Sequence, residues 1–180
     1  KAILKQAEKT KRNAIYYKLE QKKKRMEHKP QVRTGKNLEK LKNDLHMADI
    51  PVHIECFDNS NIMGTNPVAA CVVFRNGRPS KKEYRHFNIK TVTGPDDFSS
   101  MEEIVFRRYK RMIDEEQTLP QLAIIDGGKG QLSSAMKSLA KLGLGERITV
   151  IGIAKKLEEI YFPGDSVPIY LDKNSISLKI

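Results

Sequence analysis

Gln121–Leu132 reads QLAIIDGGKGQL, and this stretch decides the fold. Leu122, Ala123, Ile124 and Ile125 form an unbroken apolar run of the kind that builds a buried strand. Asp126 ends it. Gly127 and Gly128 lead into KGQLSSAMKSLAKLG, where Leu132, Met136 and Leu139 recur with a helical period and Gly143 supplies the stop. RITVIGIA, 147–154, follows as another apolar run. A strand, helix and strand of these lengths make a parallel unit with a right-handed crossover. The carboxylate therefore stands where a buried strand opens into a turn, and the next two residues have no side chains to shield the backbone.

Upstream, VHIECFD (52–58) reads as a first strand, and NSNIMGTNP is a turn-rich connection. VAACVVF (68–74) is a second strand, apolar on both faces and so internal to a sheet. Asn76-Gly77 is the pair favoured in a two-residue hairpin turn. KKEYRHFNIK (81–90) is a third, more polar strand suited to an edge. A helix follows within residues 91–116, with Ser99 or Ser100 expected as its cap, Glu102 or Glu103 as the return partner, and Met101, Ile104, Val105, Tyr109 and Met112 as its apolar face. QLAIID is then the fourth strand and RITVIGIA the fifth. EEIYFPG and VPIYL suggest one more short hairpin. The expected fold is α/β: a mixed sheet ordered 3-2-1-4-5, with flanking helices and a switch point between the first and fourth strands.

Residues 1–50 carry 15 Lys/Arg against 6 Asp/Glu, and residues 51–180 carry 18 against 16. The net charge of +11 is thus mostly a property of the N-terminal segment, which reads as two basic helices: Lys1 to about His28, and a second capped by Asn37 with Leu38, Leu41 and Leu45 on one face. This divides the chain into a basic helical lead-in, 1–50, and a core, 51–180. A basic block fits a polyanion such as nucleic acid, or a solvated helix face. Cys56 and Cys71 form neither a zinc motif nor a disulfide framework, which fits a reducing, intracellular setting. No apolar run approaches the ~18 residues of a membrane span. The start at Lys1 and the end at SISLKI read as those of a fragment.

The first and fourth strands, which flank the switch point, end on Asp58 and Asp126. Each taken singly fits a turn or helix-cap residue. Together, on adjacent strands about 4.8 Å apart, their charges converge on one small volume. Such a pair calls for a cation between them, and a hard divalent ion, Mg²⁺ or Mn²⁺, is the simplest. Gly127 and Gly128 would then let a phosphate approach the backbone at the helix N-terminus, with Lys129 at the same rim. GGKGQ lacks the spacing of a nucleotide P-loop. Arg107 and Arg108, in RRYKR, offer a helix face for a DNA backbone or for solvent. His28, His46, His53 and His86 show no ligand spacing; the last two sit on strands as packing or surface residues.

IECFDNSNIMGTNPVAACVVFRNGRP (54–79), YRHFNIKTVTGPDDFSSMEEIVFRRY (84–109), LAIIDGGKGQLSSA (122–135) and VIGIAKKLEEIYFPG (150–164) together resemble the C-terminal RNase-H-like endonuclease domain of the UvrC family, the incision subunit of bacterial nucleotide excision repair. The resemblance runs from about Val52 to the chain end. It implies a cytoplasmic, metal-dependent nuclease that cuts damaged double-stranded DNA on the 5′ side of a lesion, after UvrA and UvrB have located it. The implied active site is an Asp-Asp-His set, with Asp58 and Asp126 as the two acids. The histidine belongs to a helix expected beyond Ile180, so the core would stop before its last helix and this stretch alone would have an impaired site. Family members often read FDISH where this chain reads FDNSN, with Asn61 at the His position. The competing reading is a DNA-binding or UvrB-docking module without cleavage activity of its own.

Overall fold

The computed structural model describes residues 35–60, 68–90, 92, 96–154, 159–172 and 174–180. The helix expected from Lys1 to His28 and Asn61 lie outside them. The chain divides into two units, Lys1–Lys36 and Asn37–Ile180, and the sheet belongs to the second.

Seven strands form one mixed sheet: β1 (His53–Ser60), β2 (Val68–Arg75), β3 (Arg78–Pro79), β4 (Arg85–Asn88), β5 (Leu122–Asp126), β6 (Thr149–Ala154) and β7 (Glu159–Tyr161). The order is β3-β2-β1-β5-β6-β7, with β4 also pairing β2. The expected order emerges intact once β3 and β4 are taken as one interrupted edge strand. β1 and β2 are antiparallel, while β5 is parallel to both β1 and β6. Asn76 and Gly77 adopt φ of 51° and 69°, the left-handed pair of the expected two-residue turn. The edge strand breaks because Pro79 has no N–H to donate and a 3₁₀ turn, Lys81–Glu83, intervenes. Arg75 clamps that turn through Glu83, whose carboxyl is pulled down to about 2 by hydrogen bonds from Arg75 and Ser80. The expected last hairpin is present: β7 extends the sheet antiparallel to β6, and Ile160 exchanges hydrogen bonds with Ile169.

Strand alternation sorts the core into two faces. On one, Phe57, Cys71, Val73, Ala123, Ile125 and Val150 pack under α2 (Asp97–Asp114) and α3 (Lys129–Lys141). On the other, Ile54, Leu122, Ile151 and Ile160 meet Leu38 and Leu41 of a helix over 35–44, here α1, and Leu45 just after it. This last contact corrects two expectations. Asn37 lies inside α1 rather than capping it, and α1 is part of the folded unit rather than of a lead-in ending at residue 50. Leu38, Leu41 and Leu45 exclude water from this sheet face together with Phe162, Ile169 and Leu171. Asp44, near its end, accepts hydrogen bonds from Ser175 and Ser177 and so ties α1 to the C-terminal turn. Among the described residues no helix is long and apolar enough to cross a membrane.

Helix α2 starts earlier than expected. Asp96, not Ser99 or Ser100, is the cap, accepting from the backbone of Phe98 and Ser99, each at 3.0 Å. An aspartate fills this role because its carboxylate answers both the orphan N–H groups and the helix dipole. Glu103 instead reaches across to the backbone N–H of Lys90, bracing the exit of β4. The apolar face is as expected, but it includes a charge: Arg108 is buried and donates to Glu55 from Nε at 3.2 Å to both carboxylate oxygens. Glu55 is fully buried on β1 and also bonds His53 Nε2 at 3.2 Å. Burial pushes the Glu55 carboxyl up, but the bonds from His53 and Arg108 outweigh it and hold the group below the usual carboxylate range.

Removing one partner of a buried pair strands the other charge. Arg108→Ala is expected to lose about 3–5 kcal/mol in urea unfolding, and a double variant, Glu55→Leu with Arg108→Met, to recover most of it. The lowered Glu55 carboxyl makes its contribution complete above the ordinary carboxylate range and lost as the pH falls below it, so the gap between wild type and Arg108→Ala should narrow in acid.

Candidate active site

The parallel ladder between β1 and β5 places Ile54 opposite Leu122, Cys56 opposite Ile124, and Asp58 opposite Asp126. The last pair closes the ladder: Asp126 ends β5 as expected, whereas β1 runs on past Asp58 to Ser60, paired there with β2 alone. Directly paired residues of parallel strands share a face, about 4.8 Å apart. Asp58 and Asp126 therefore sit side by side, half-buried, on the α1 face. Their immediate neighbours in the same row are Ala70 on β2 and Ile153 on β6, neither of which brings a charge. Two carboxylates side by side at the edge of the apolar core are hard oxygen donors, which suit a hard divalent cation better than a soft transition metal. Among the described residues no group of three or more His, Cys, Asp or Glu is gathered for a metal.

The two helix starts near this end of the sheet differ. α2 is capped by Asp96 and has Asp97 in its first turn. α3 begins at Gly128 with no side-chain cap and no acid in its first turn, and its first residue is Lys129. A helix start without its own anion, carrying a cation, suits an external one such as phosphate. The glycines also permit close packing here. A Cβ on Gly152 of β6 would come 3.0 Å from the Gly127 carbonyl oxygen and 3.2 Å from Leu132 Cβ, so the turn after Asp126 rests directly on the neighbouring strand.

The basic residues expected at a DNA backbone have different placements. Arg108 is a correction: it is sunk in the core against Glu55, in helical phase with Ile104, Val105 and Met112, and only its charge among the cations of RRYKR made it look like a surface residue. Arg107 stays at the surface but donates to the Asn88 carbonyl and to Glu103, each at 2.8 Å, and lies over the Phe87 ring. Lys129 donates to the Ser166 carbonyl and sits 4.8 Å over the Tyr161 ring, which ties α3 to the loop after β7. Neither the Glu55–Arg108 pair nor its importance was read from the sequence. Its signal was available: Glu55 shares the strand parity of Phe57, so it faces the core and needs a buried cation.

The UvrC RNase H endonuclease domain model matches residues 42–180. The chain belongs to this family. UvrABC system protein C of Flavobacterium johnsoniae is 62% identical over 169 residues, which are 94% of this chain and 28% of that protein. The Methanococcus maripaludis protein of the same name is 54% identical over 137 residues, covering 76% of this chain and 26% of its own length. The chain thus spans little more than a quarter of these family members. Among solved structures, endonuclease V from Ciona intestinalis aligns with a TM-score of 0.43 and 17% identity, over 73% of this chain and 60% of its own.

Because a Cβ at Gly152 would press on the Gly127 carbonyl oxygen and on Leu132, Gly152→Ala is expected to cost about 1–3 kcal/mol of stability, read as a lower urea midpoint with an unchanged slope.

Proposed function

We propose that this domain hydrolyses a phosphodiester bond of damaged DNA, as the 5′-incising nuclease of nucleotide excision repair, with Asp58 and Asp126 holding one divalent cation, Mg²⁺ or Mn²⁺. The observation that carries the reading is the pairing of the two aspartates as the last rung of the β1–β5 ladder. A divalent ion bound there supplies Lewis acidity at the scissile phosphate and stabilises the departing 3′ oxygen. The chain's own residues do the positioning. Asp58 and Asp126 orient their oxygens from two strands locked in register, and the N-terminal N–H groups of α3, after Gly127 and Gly128, receive a backbone phosphate. Lys129 adds positive charge at that helix start while bonded to Ser166.

Two carboxylates leave most of a six-ligand shell to other donors. The family resemblance implies one further group, a histidine, beside the two aspartates. The partners proposed for the intact protein are damaged duplex DNA and the UvrA–UvrB–DNA complex, in the cytoplasm. The basic excess of residues 1–50 supports a polyanionic partner.

In the intact protein, Asp58→Asn and Asp126→Asn are each expected to lower 5′ incision at least about 100-fold, beyond the effect of losing an outer-shell partner, and to weaken Mn²⁺ binding in calorimetry while the urea midpoint holds. Incision near the wild-type rate in either variant overturns the assignment. Intact Mn²⁺ binding in both would move the ion elsewhere.

A further inference from the structure

The row of paired residues that contains the two aspartates continues past Ala70. His86 of β4 pairs with Ala70, and Ala70 pairs with Asp58. His86, Ala70, Asp58 and Asp126 are therefore four consecutive positions across the sheet at one height. Alternation puts them on one face. Phe87, the next residue of β4, is buried on the opposite face with α2 and α3, and His86 is exposed. Between His86 and Asp58 stands a residue that projects only a methyl group.

Distance decides what an imidazole in that position can do. Two strand spacings put it about 10 Å from Asp58. From a Cα at that spacing, with only a methyl group between, the imidazole is at the right range to meet a neighbouring phosphate of a strand whose scissile phosphate lies at the carboxylates. An imidazole donates a hydrogen bond to a phosphate oxygen whether neutral or protonated.

We propose that His86 is a DNA-backbone contact on the β4 side of the site, holding the phosphate of a flanking nucleotide and so fixing the register of the strand against Asp58 and Asp126. The inference rests on the reading of those aspartates as the cleavage centre. It adds a second anchor to the α3 N-terminus: β5 and α3 lie to one side of Asp58 in the sheet, and β4 lies to the other.

The test is equilibrium binding of a fluorescent lesion-containing duplex to the intact protein in metal-free buffer, alongside incision kinetics with Mg²⁺. His86→Ala should weaken DNA binding about 10-fold, the lower end for a hydrogen bond to a charged group, and raise KM while leaving kcat within about twofold. His86→Arg, which keeps a donor, should restore affinity. Arg78→Ala is the control for general electrostatics. Arg78 is exposed on the same edge, but its row leads through Arg75 to His53, five residues and about 16 Å down β1 from Asp58. It should change affinity less than twofold. Unchanged binding in His86→Ala, or an equal loss in Arg78→Ala, overturns the proposal. The aspartate reading fails separately, if Asp58→Asn still incises. Because His86 is exposed, the urea midpoint of His86→Ala should match wild type, and a lowered midpoint with no rescue by arginine would mark the residue as structural and overturn the proposal as well.

Discussion

Everything at the candidate site depends on β1 pairing in parallel with β5. Side chains alternate along a strand with a period of two, so a slip of one residue would turn Asp58 to the opposite face from Asp126 and bury a carboxylate under α2. Several residues specify the observed register at once. Ile54 and Leu122 must share the α1 face, and Phe57 and Ile125 must share the α2 and α3 face. The cost of misplacing any of these apolar groups holds two acidic groups level with each other, 68 residues apart in the chain. The carboxylate pair is thus positioned by hydrophobic packing.

The buried Glu55–Arg108 pair plays a complementary part. Hydrophobic contacts between α2 and the sheet are not directional, and an amphipathic helix could slide along such a face. A fork of guanidinium N–H groups on one fully buried carboxylate cannot slide without leaving a charge unpaired. His53 and the Cys71 thiol fill out the surroundings of Glu55, and burial together with the nearby Glu55 charge pushes that thiol well above its usual range. The pair lies three residues before Asp58 on the same strand but on the other face. It fixes where α2, with its Asp96 cap, meets the end of β1, and Asn59 bonds the Asp97 carbonyl at 3.0 Å.

Much of this was legible in the sequence. QLAIIDGGKGQL followed by a periodic helix and RITVIGIA reads as a strand, helix and parallel strand, and Asn76-Gly77 as a tight turn, and both are present. The strand order and the aspartate that ends β5 follow from those patterns, while β1 runs two residues further than read, past Asp58 to Ser60. What escaped were features that depend on which surface an element meets. The leucines of α1 were visible, but their partner, the face built by Ile54, Leu122 and Ile151, comes from three strands, so α1 read as part of a basic lead-in. Arg108 lies in a run of five residues with four cations; its helical phase with Met101, Ile104, Val105 and Met112 pointed inward, but its charge needs a buried partner that only the sheet supplies. Asp96 and the serines three and four residues later all satisfy the same short-range capping rule, and only the folded helix start separates them.

The sequence by itself determined the elements, their order and the residue types at the strand ends, because periodicity, turn chemistry and crossover handedness are local or nearly so. Only the tertiary structure decided which rungs face each other: Asp58 against Asp126, Ala70 against both Asp58 and His86, Glu55 against Arg108. Register and burial are properties of pairs brought together by the whole core, and no single segment carries the information that sets them.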